Sequence, residues 1–285
     1  MHFSITDPIV FAILVTISCI LGCFLLLVIF GIFSVKGRRN HPGIQNLAGW
    51  NYAHRGLHGA EKPENSMAAF EAALNGGYGI ELDVHLTKDG QLAVIHDHDL
   101  SRCTGCAGKV EDMTMTELKQ CRLEGTQEQI PTFSQVLELF AGKAPLIVEL
   151  KSDGHNHNRL TDRVMVELKD YSGIYCIESF DPRCLKHLKK HYPQVIRGQL
   201  SDNYMKSKPK FPWILRIVMT NLLCNFMFRP DFIAYKFCDR KNIGLILARK
   251  LWKMPGVAWT VQNQEELDIA ASEGWISIFE GFTPQ

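Results

Sequence analysis

The sequence predicts an α/β protein whose body is a (β/α)8 barrel preceded by one membrane-spanning helix. Three observations carry this. From about Trp50 onward, short β-like runs alternate with longer helical stretches along the whole remaining chain. Nearly all successive runs are separated by enough residues for a helical crossover, the connection that parallel strands require. Ahead of them, residues 9–33 are apolar and uncharged, and a helix of about 20 such residues spans a bilayer.

Residues 1–40 read as the anchor with its flank. Asp7 is the only charge before the apolar run, whereas Lys36, Arg38 and Arg39 follow it. A secretory signal carries basic residues ahead of its apolar core and a small-residue cleavage site behind it; neither is evident. An excess of Lys and Arg marks the cytoplasmic flank. The expected arrangement is a single pass in the cell membrane, N-terminus outside and the large C-terminal part in the cytoplasm.

Residues 50–285 read as the barrel. A first strand at Asn51-Tyr52-Ala53 is followed by a turn-rich loop and a helix over residues 66–74, which Gly76-Gly77 ends. Strands are then expected at 80–86, 146–150, 174–177, 195–200, 232–237, 257–261 and 276–279. The run at 92–95 stands apart, because only Thr87-Lys88-Asp89-Gly90-Gln91 precedes it. A connection that short makes an antiparallel hairpin, so this strand does not count toward the eight. Eight parallel strands with helical crossovers close into a barrel whose site is built at the C-terminal strand ends.

Composition narrows the role. Lys plus Arg (31) and Asp plus Glu (30) give a formal net charge of +1. No basic stripe interleaved with aromatics appears, so nucleic acid is not an expected partner. Of the nine cysteines, Cys19 and Cys23 lie in the apolar run and the others show no framework spacing. Cys103 and Cys106 form a C-x-x-C string without a second Cys/His pair. Reduced thiols in a cytoplasmic domain are the expectation.

Four polar strings close or follow the expected strands: His54-Arg55-Gly56, Glu81-Leu82-Asp83, His96-Asp97 and Glu149-Leu150-Lys151. Glu81 and Asp83 are two apart in a strand and so point to one face. With Glu149 they make three hard oxygen ligands, suited to Mg²⁺ or Ca²⁺ with positions left for water and phosphate. His54 and His96 titrate near neutrality and suit a general acid/base pair. Arg55 and Lys151 supply charge for a phosphate, Arg by bidentate hydrogen bonds and Lys as a point charge. Together they are the equipment for metal-assisted cleavage of a phosphate ester.

These strings, with Pro63-Glu64-Asn65-Ser66, Thr87-Lys88-Asp89-Gly90, Ile130-Pro131-Thr132, Glu178-Ser179-Phe180 and Trp259-Thr260-Val261, resemble the glycerophosphodiester phosphodiesterase family in identity, order and spacing. The resemblance covers residues 51–284. It implies a metal-dependent TIM barrel with a small insertion after the His-Asp string, here about 99–131. It further implies cleavage of glycerophosphodiesters to glycerol phosphate and an alcohol. Glu81, Asp83 and Glu149 would hold the ion, His54 and His96 would act as base and acid in an order left open, and Arg55 and Lys151 would grip the phosphate. In the mechanism implied, a glycerol hydroxyl attacks phosphorus through a cyclic phosphate.

The chain departs from the family pattern near its end. Gly274-Trp275-Ile276-Ser277 and Glu280-Gly281-Phe282-Thr283-Pro284 replace a Gly-Val-Asp-Gly stretch and a Thr-Asp-x-Pro string, and Gln262-Asn263 stands where Asn follows Trp-Thr-Val. These changes touch the rim and its substrate contacts. A second apolar segment at 211–228 contains Arg216 and is too short for another span. It reads equally as a packed or partner-contacting helix and as an element resting on the membrane. With the anchor, it extends the expected substrates to lysophospholipids. The alternatives are a phosphoinositide-type phospholipase C and a catalytically silent, membrane-bound binding barrel.

Overall fold

In the computed structural model, residues 8–38 and 41–285 are described; Asp7 and Arg39, two of the charges used for the expected orientation, lie outside them. Nine strands form one sheet: β1 (Asn51–His54), β2 (Gly79–Leu86), β3 (Leu92–Val94), β4 (Leu146–Leu150), β5 (Tyr175–Ser179), β6 (Arg197–Ser201), β7 (Phe232–Lys236), β8 (Gly256–Val261) and β9 (Trp275–Phe279). The order β1-β9-β8-β7-β6-β5-β4-β2-β3, with β1 also pairing β2, closes eight parallel strands into a ring. β3 runs antiparallel to the far half of β2, Val84 opposite Val94, as the short Asp-Gly connection requires.

The strand interiors have two layers. Tyr52, Ile147, Cys176, Phe232 and Val257 fill the barrel near the N-terminal strand ends. The next inward positions on β4 and β5 are Glu149 and Glu178, and the inward positions of β2 are Glu81 and Asp83, all buried. The apolar plug therefore ends where the acids begin. Gly198 belongs to the plug, because a Cβ there would lie 2.1 Å from the Phe232 ring. Outward-facing residues such as Leu82, Val148 and Ile177 meet the surrounding helices, and side-chain caps start several of these. Ser66 Oγ accepts from Ala69 N at 3.1 Å, and Thr132 forms a capping box with Gln135.

The N-terminal helix, Pro8–Ser34, has a mean hydropathy of 3.0 and a fully exposed apolar window, long enough to cross a bilayer. Its C-terminal end is bound to the barrel. Trp252 Nε1 donates to Ile32 O at 2.7 Å, and Arg229 Nη1 donates to Lys36 O at 2.8 Å. Arg38 holds both oxygens of buried Asp231 at 2.6 Å. These contacts lie at the N-terminal ends of β7 and β8, opposite the acids.

The apolar segment is divided between core and surface. A helix, Trp213–Thr220, buries Met219, and Leu222 and Phe228 are wholly buried; Trp213, Ile214 and Phe226 are exposed. One expectation is overturned. Cys106 does not stand reduced beside Cys103 but is joined to Cys121 in a disulfide across the insertion, while Cys103 is a buried free thiol. Spacing along the chain could not show this, because the insertion doubles back and brings positions 15 apart in sequence to a Cα separation of 6.3 Å.

Candidate active site

Strand register gathers the acids. Asp83 of β2 lies opposite Glu149 of β4, and Glu149 opposite Glu178 of β5. One oxygen each from Glu81, Asp83 and Glu149 lies within 4.8 Å of the others. Burial and repulsion from Asp83 and Glu149 raise Glu81 well above the usual carboxylate range, and burial raises Glu149 to about 7. Asp83 moves the other way: Lys151, His96 and Arg55 overcome its burial and keep it ionised. Lys151 Nζ bridges Asp83 Oδ1 at 3.1 Å and Glu149 Oε1 at 2.9 Å.

His54 closes β1 with its ring between two acids. Nδ1 is 3.0 Å from Glu280 Oε1, and Nε2 is 3.8 Å from Glu81 Oε2. A carboxylate only accepts, so Nδ1 is assigned the proton and Nε2 presents its lone pair to the site. His58 Nε2 shares the same Glu280 oxygen at 3.2 Å. Across the mouth, His96 Nδ1 is bonded to Asp97, which turns its Nε2 away from that carboxylate. Burial lowers both rings, His96 to about 4, so both are neutral at pH 7.

The loop after β1 is shaped to bring Arg55 in. Arg55 has φ +54° and Gly56 φ +83°, and a Cβ on Gly56 would meet the Ala69 backbone at 2.8 Å, so only glycine fits there. Arg55 N donates to Glu81 Oε2 at 3.2 Å, and its Nη1 to Glu64 Oε2 at 2.9 Å. Asn65 Nδ2 donates to Asp83 Oδ2 at 2.8 Å. Arg102, from the insertion, binds Glu64 at 2.6 Å and also Asp97. It thereby links the supports of Arg55 and His96.

A cavity of about 800 Å³ opens from this cluster, with His96, Glu149 and Lys151 at one end and Phe211, Leu215 and Met219 at the other. The donor set fits a hard divalent ion, being all carboxylate oxygen. The buried Oε2 of neighbouring Glu178, which has no hydrogen-bond partner, marks the same acid-rich point.

The chain matches the glycerophosphoryl diester phosphodiesterase family over residues 54–279. It belongs to that family. A glycerophosphodiester phosphodiesterase of Caldanaerobacter subterraneus subsp. tengcongensis is 37% identical over 229 residues, covering 76% of this chain and 87% of that one. Lysophospholipase D GDPD1 of Rattus norvegicus is 36% identical over 140 residues, 45% of this chain and 43% of the relative. Among solved structures, a phosphodiesterase of Oleispira antarctica in complex with sn-glycerol-3-phosphate superposes with a TM-score of 0.68 at 23% identity, covering 81% and 92% of the two chains. The glycerophosphodiester phosphodiesterase of Thermotoga maritima gives a TM-score of 0.62 at 26% identity, covering 80% and 92%.

All seven residues selected from this family member's sequence, His54, Arg55, Glu81, Asp83, His96, Glu149 and Lys151, meet at one barrel mouth. Sequence reasoning missed the supports. Glu64, Asn65 and Glu178 stood in quoted strings without a role, and Arg102 carried no signal. Glu280 was read only as a departure at the rim, yet it is the partner of His54.

Proposed function

We propose that this family member hydrolyses glycerophosphodiesters to glycerol 3-phosphate and an alcohol, with His54 and His96 as the acid/base pair. The observation that carries the reading is the arrangement of two imidazoles, each with Nδ1 held by a carboxylate, at a mouth floored by three acids. One ring, neutral, takes the proton of the attacking glycerol hydroxyl at Nε2. The other, once it has taken up a proton at Nε2 from solvent, gives it to the departing alcohol, and water then opens the cyclic phosphate with the two roles exchanged. Arg55 and Lys151 orient the phosphate. An Mg²⁺ or Ca²⁺ held by Glu81, Asp83 and Glu149 would offset negative charge growing on the phosphoryl oxygens. Family membership supports a divalent ion; its identity is open.

Residues 1–40 serve in this proposal as a single-pass anchor, and residues 50–285 as the catalytic barrel with its insertion at about 99–131. The proposed substrates extend to lysophospholipids. The Phe211, Leu215 and Met219 wall offers an acyl chain an apolar bed beside Lys151. Lys36 and Arg38 favour a cytoplasmic barrel. The Cys106–Cys121 disulfide argues against it, because cytosolic thiol pools reduce such bonds.

The test is product analysis with glycerophosphocholine and a lysophospholipid on one anchored preparation, with and without chelator. Glycerol phosphate or lysophosphatidate as product, lost on chelation and restored by Mg²⁺ or Ca²⁺, supports the reading. A phosphorylated headgroup would assign the alternative phospholipase C bond, and no turnover on either substrate the silent barrel. Full turnover in excess chelator would remove the metal.

A further inference from the structure

A second group of ligating side chains lies beyond the acid cluster and takes no part in the chemistry above. His85 follows Asp83 by two on the same face of β2, where the strand has left the barrel to pair with β3 at Ala93. His98 sits on the loop after His96, and Glu111 on the Val110–Asp112 turn of the insertion. The three meet with ligand atoms within 4.8 Å of one another. Glu111 Oε1 is 2.8 Å from His85 Nδ1 and 2.7 Å from His98 Nδ1. The two rings stand edge to face at 4.7 Å.

The remaining nitrogen of His85 constrains what this group can be. Its Nε2 is 3.2 Å from the backbone oxygen of His96, and a carbonyl can only accept, so Nε2 carries a proton. Nδ1 then faces a carboxylate oxygen. Either a proton or a cation can stand between that nitrogen and that oxygen. The second arrangement is common at metal sites, where a ligating histidine donates its other N–H to a backbone carbonyl. His85 already makes that outer bond.

We propose that His85 Nδ1, His98 Nδ1 and Glu111 Oε1 form a second cation site, for a borderline transition ion of the Zn²⁺ kind. Two imidazoles and one carboxylate suit such an ion, whereas the all-oxygen set of Glu81, Asp83 and Glu149 suits a hard one. Water completes four-coordination. The ligand atoms now sit at hydrogen-bond separation and must open by a few tenths of an ångström. His98, 44% exposed at its side chain, has room to do this. The site ties together β2, the His96 loop and the insertion, whose Val110 N already donates to His98 O at 3.0 Å. Through the His85 bond to the His96 carbonyl, the ion would hold the backbone of a proposed acid/base residue. Its three ligands are separate from the seven residues assigned to the reaction.

Co²⁺ is the probe. Full-length protein in detergent, stripped with chelator, is titrated with Co²⁺ in the visible range, then with Zn²⁺. The expected result is one equivalent with the strong bands of near-tetrahedral Co²⁺, displaced by Zn²⁺. His98→Ala and Glu111→Gln should weaken binding at least about tenfold, the scale of losses at such sites. Glu149→Gln should retain the bands. His98→Cys should keep the ion and add a sulfur-to-cobalt charge-transfer band, which a hydrogen-bonding role would not produce, and which stands even if His98→Ala is unstable. Absence of tetrahedral bands, bands unaltered by His98→Ala in a folded protein, or bands lost in Glu149→Gln would each overturn the site.

Discussion

At the scale of single residues, each ring of the proposed acid/base pair is bonded through Nδ1 to a carboxylate. Glu280 fixes the His54 tautomer from the end of β9, and His58 shares its oxygen. Glu280→Gln can still accept at Nδ1 but loses the charge that stabilises an imidazolium. We expect kcat on glycerophosphocholine to fall by about 10- to 100-fold, the usual scale for such supports, with KM little changed. An unaltered kcat would remove Glu280 from the mechanism. Arg102 is a second case, joining Glu64 to Asp97 and so bracing Arg55 and His96 at once. Arg102→Met should therefore lower turnover more than Arg163→Met, since Arg163 lies outside the cavity lining and pairs with Glu167 one helical turn away. Steady-state kinetics on the two variants would show it, and equal losses would count against the brace.

At the scale of elements, the connection between β6 and β7 divides its labour. Leu222 is wholly buried, with φ +59°, so it belongs to the core. Leu222→Ala should cost about 2–5 kcal/mol of stability, as core Leu truncations do, and lower turnover of every substrate through loss of folded protein. Leu215 lines the cavity and is 40% exposed. Leu215→Ser should leave the melting temperature nearly unchanged and lower lysophospholipid turnover several-fold relative to glycerophosphocholine. Equal losses on both substrates would show that the wall is packing alone and would withdraw the acyl-chain bed.

At the scale of the whole molecule, the N-terminal helix and the acid cluster lie at opposite barrel ends. The segment that follows the N-terminal helix is held at the strand starts by the Arg38–Asp231 pair, while the acids sit at the strand ends, so the site faces away from the helix exit. The β6–β7 connection spans the two, with Phe226 against Phe30 at 5.7 Å and Leu215 in the cavity wall. Orientation in the membrane can be read from one side chain. Among the described residues, Cys238 is the only exposed free cysteine outside the N-terminal helix. With the barrel in the cytoplasm, a membrane-impermeant maleimide should label Cys238 only after permeabilisation, with Cys238→Ser as control. Labelling in intact cells would reverse the topology and agree with the disulfide.

What the sequence determined by itself were the features written in local pattern. The Glu81/Asp83 spacing puts two acids on one face whatever surrounds them, and the Asp89-Gly90 turn forces β3 back along β2. The uncharged run at 9–33 is long and apolar enough to cross a membrane as a helix, and residues 80–86 read as a strand. Tertiary structure decided everything that needs two distant segments. Glu280 lies 226 residues from His54, and only barrel closure of β1 on β9 makes them partners. Cys106 found Cys121, and not nearby Cys103, because the insertion folds back on itself. His85, Glu111 and His98 acquire a common point only where β2 outruns the barrel. The physical reason is the same in each case: periodicity fixes which way a side chain points, and closure of the sheet fixes what it points at.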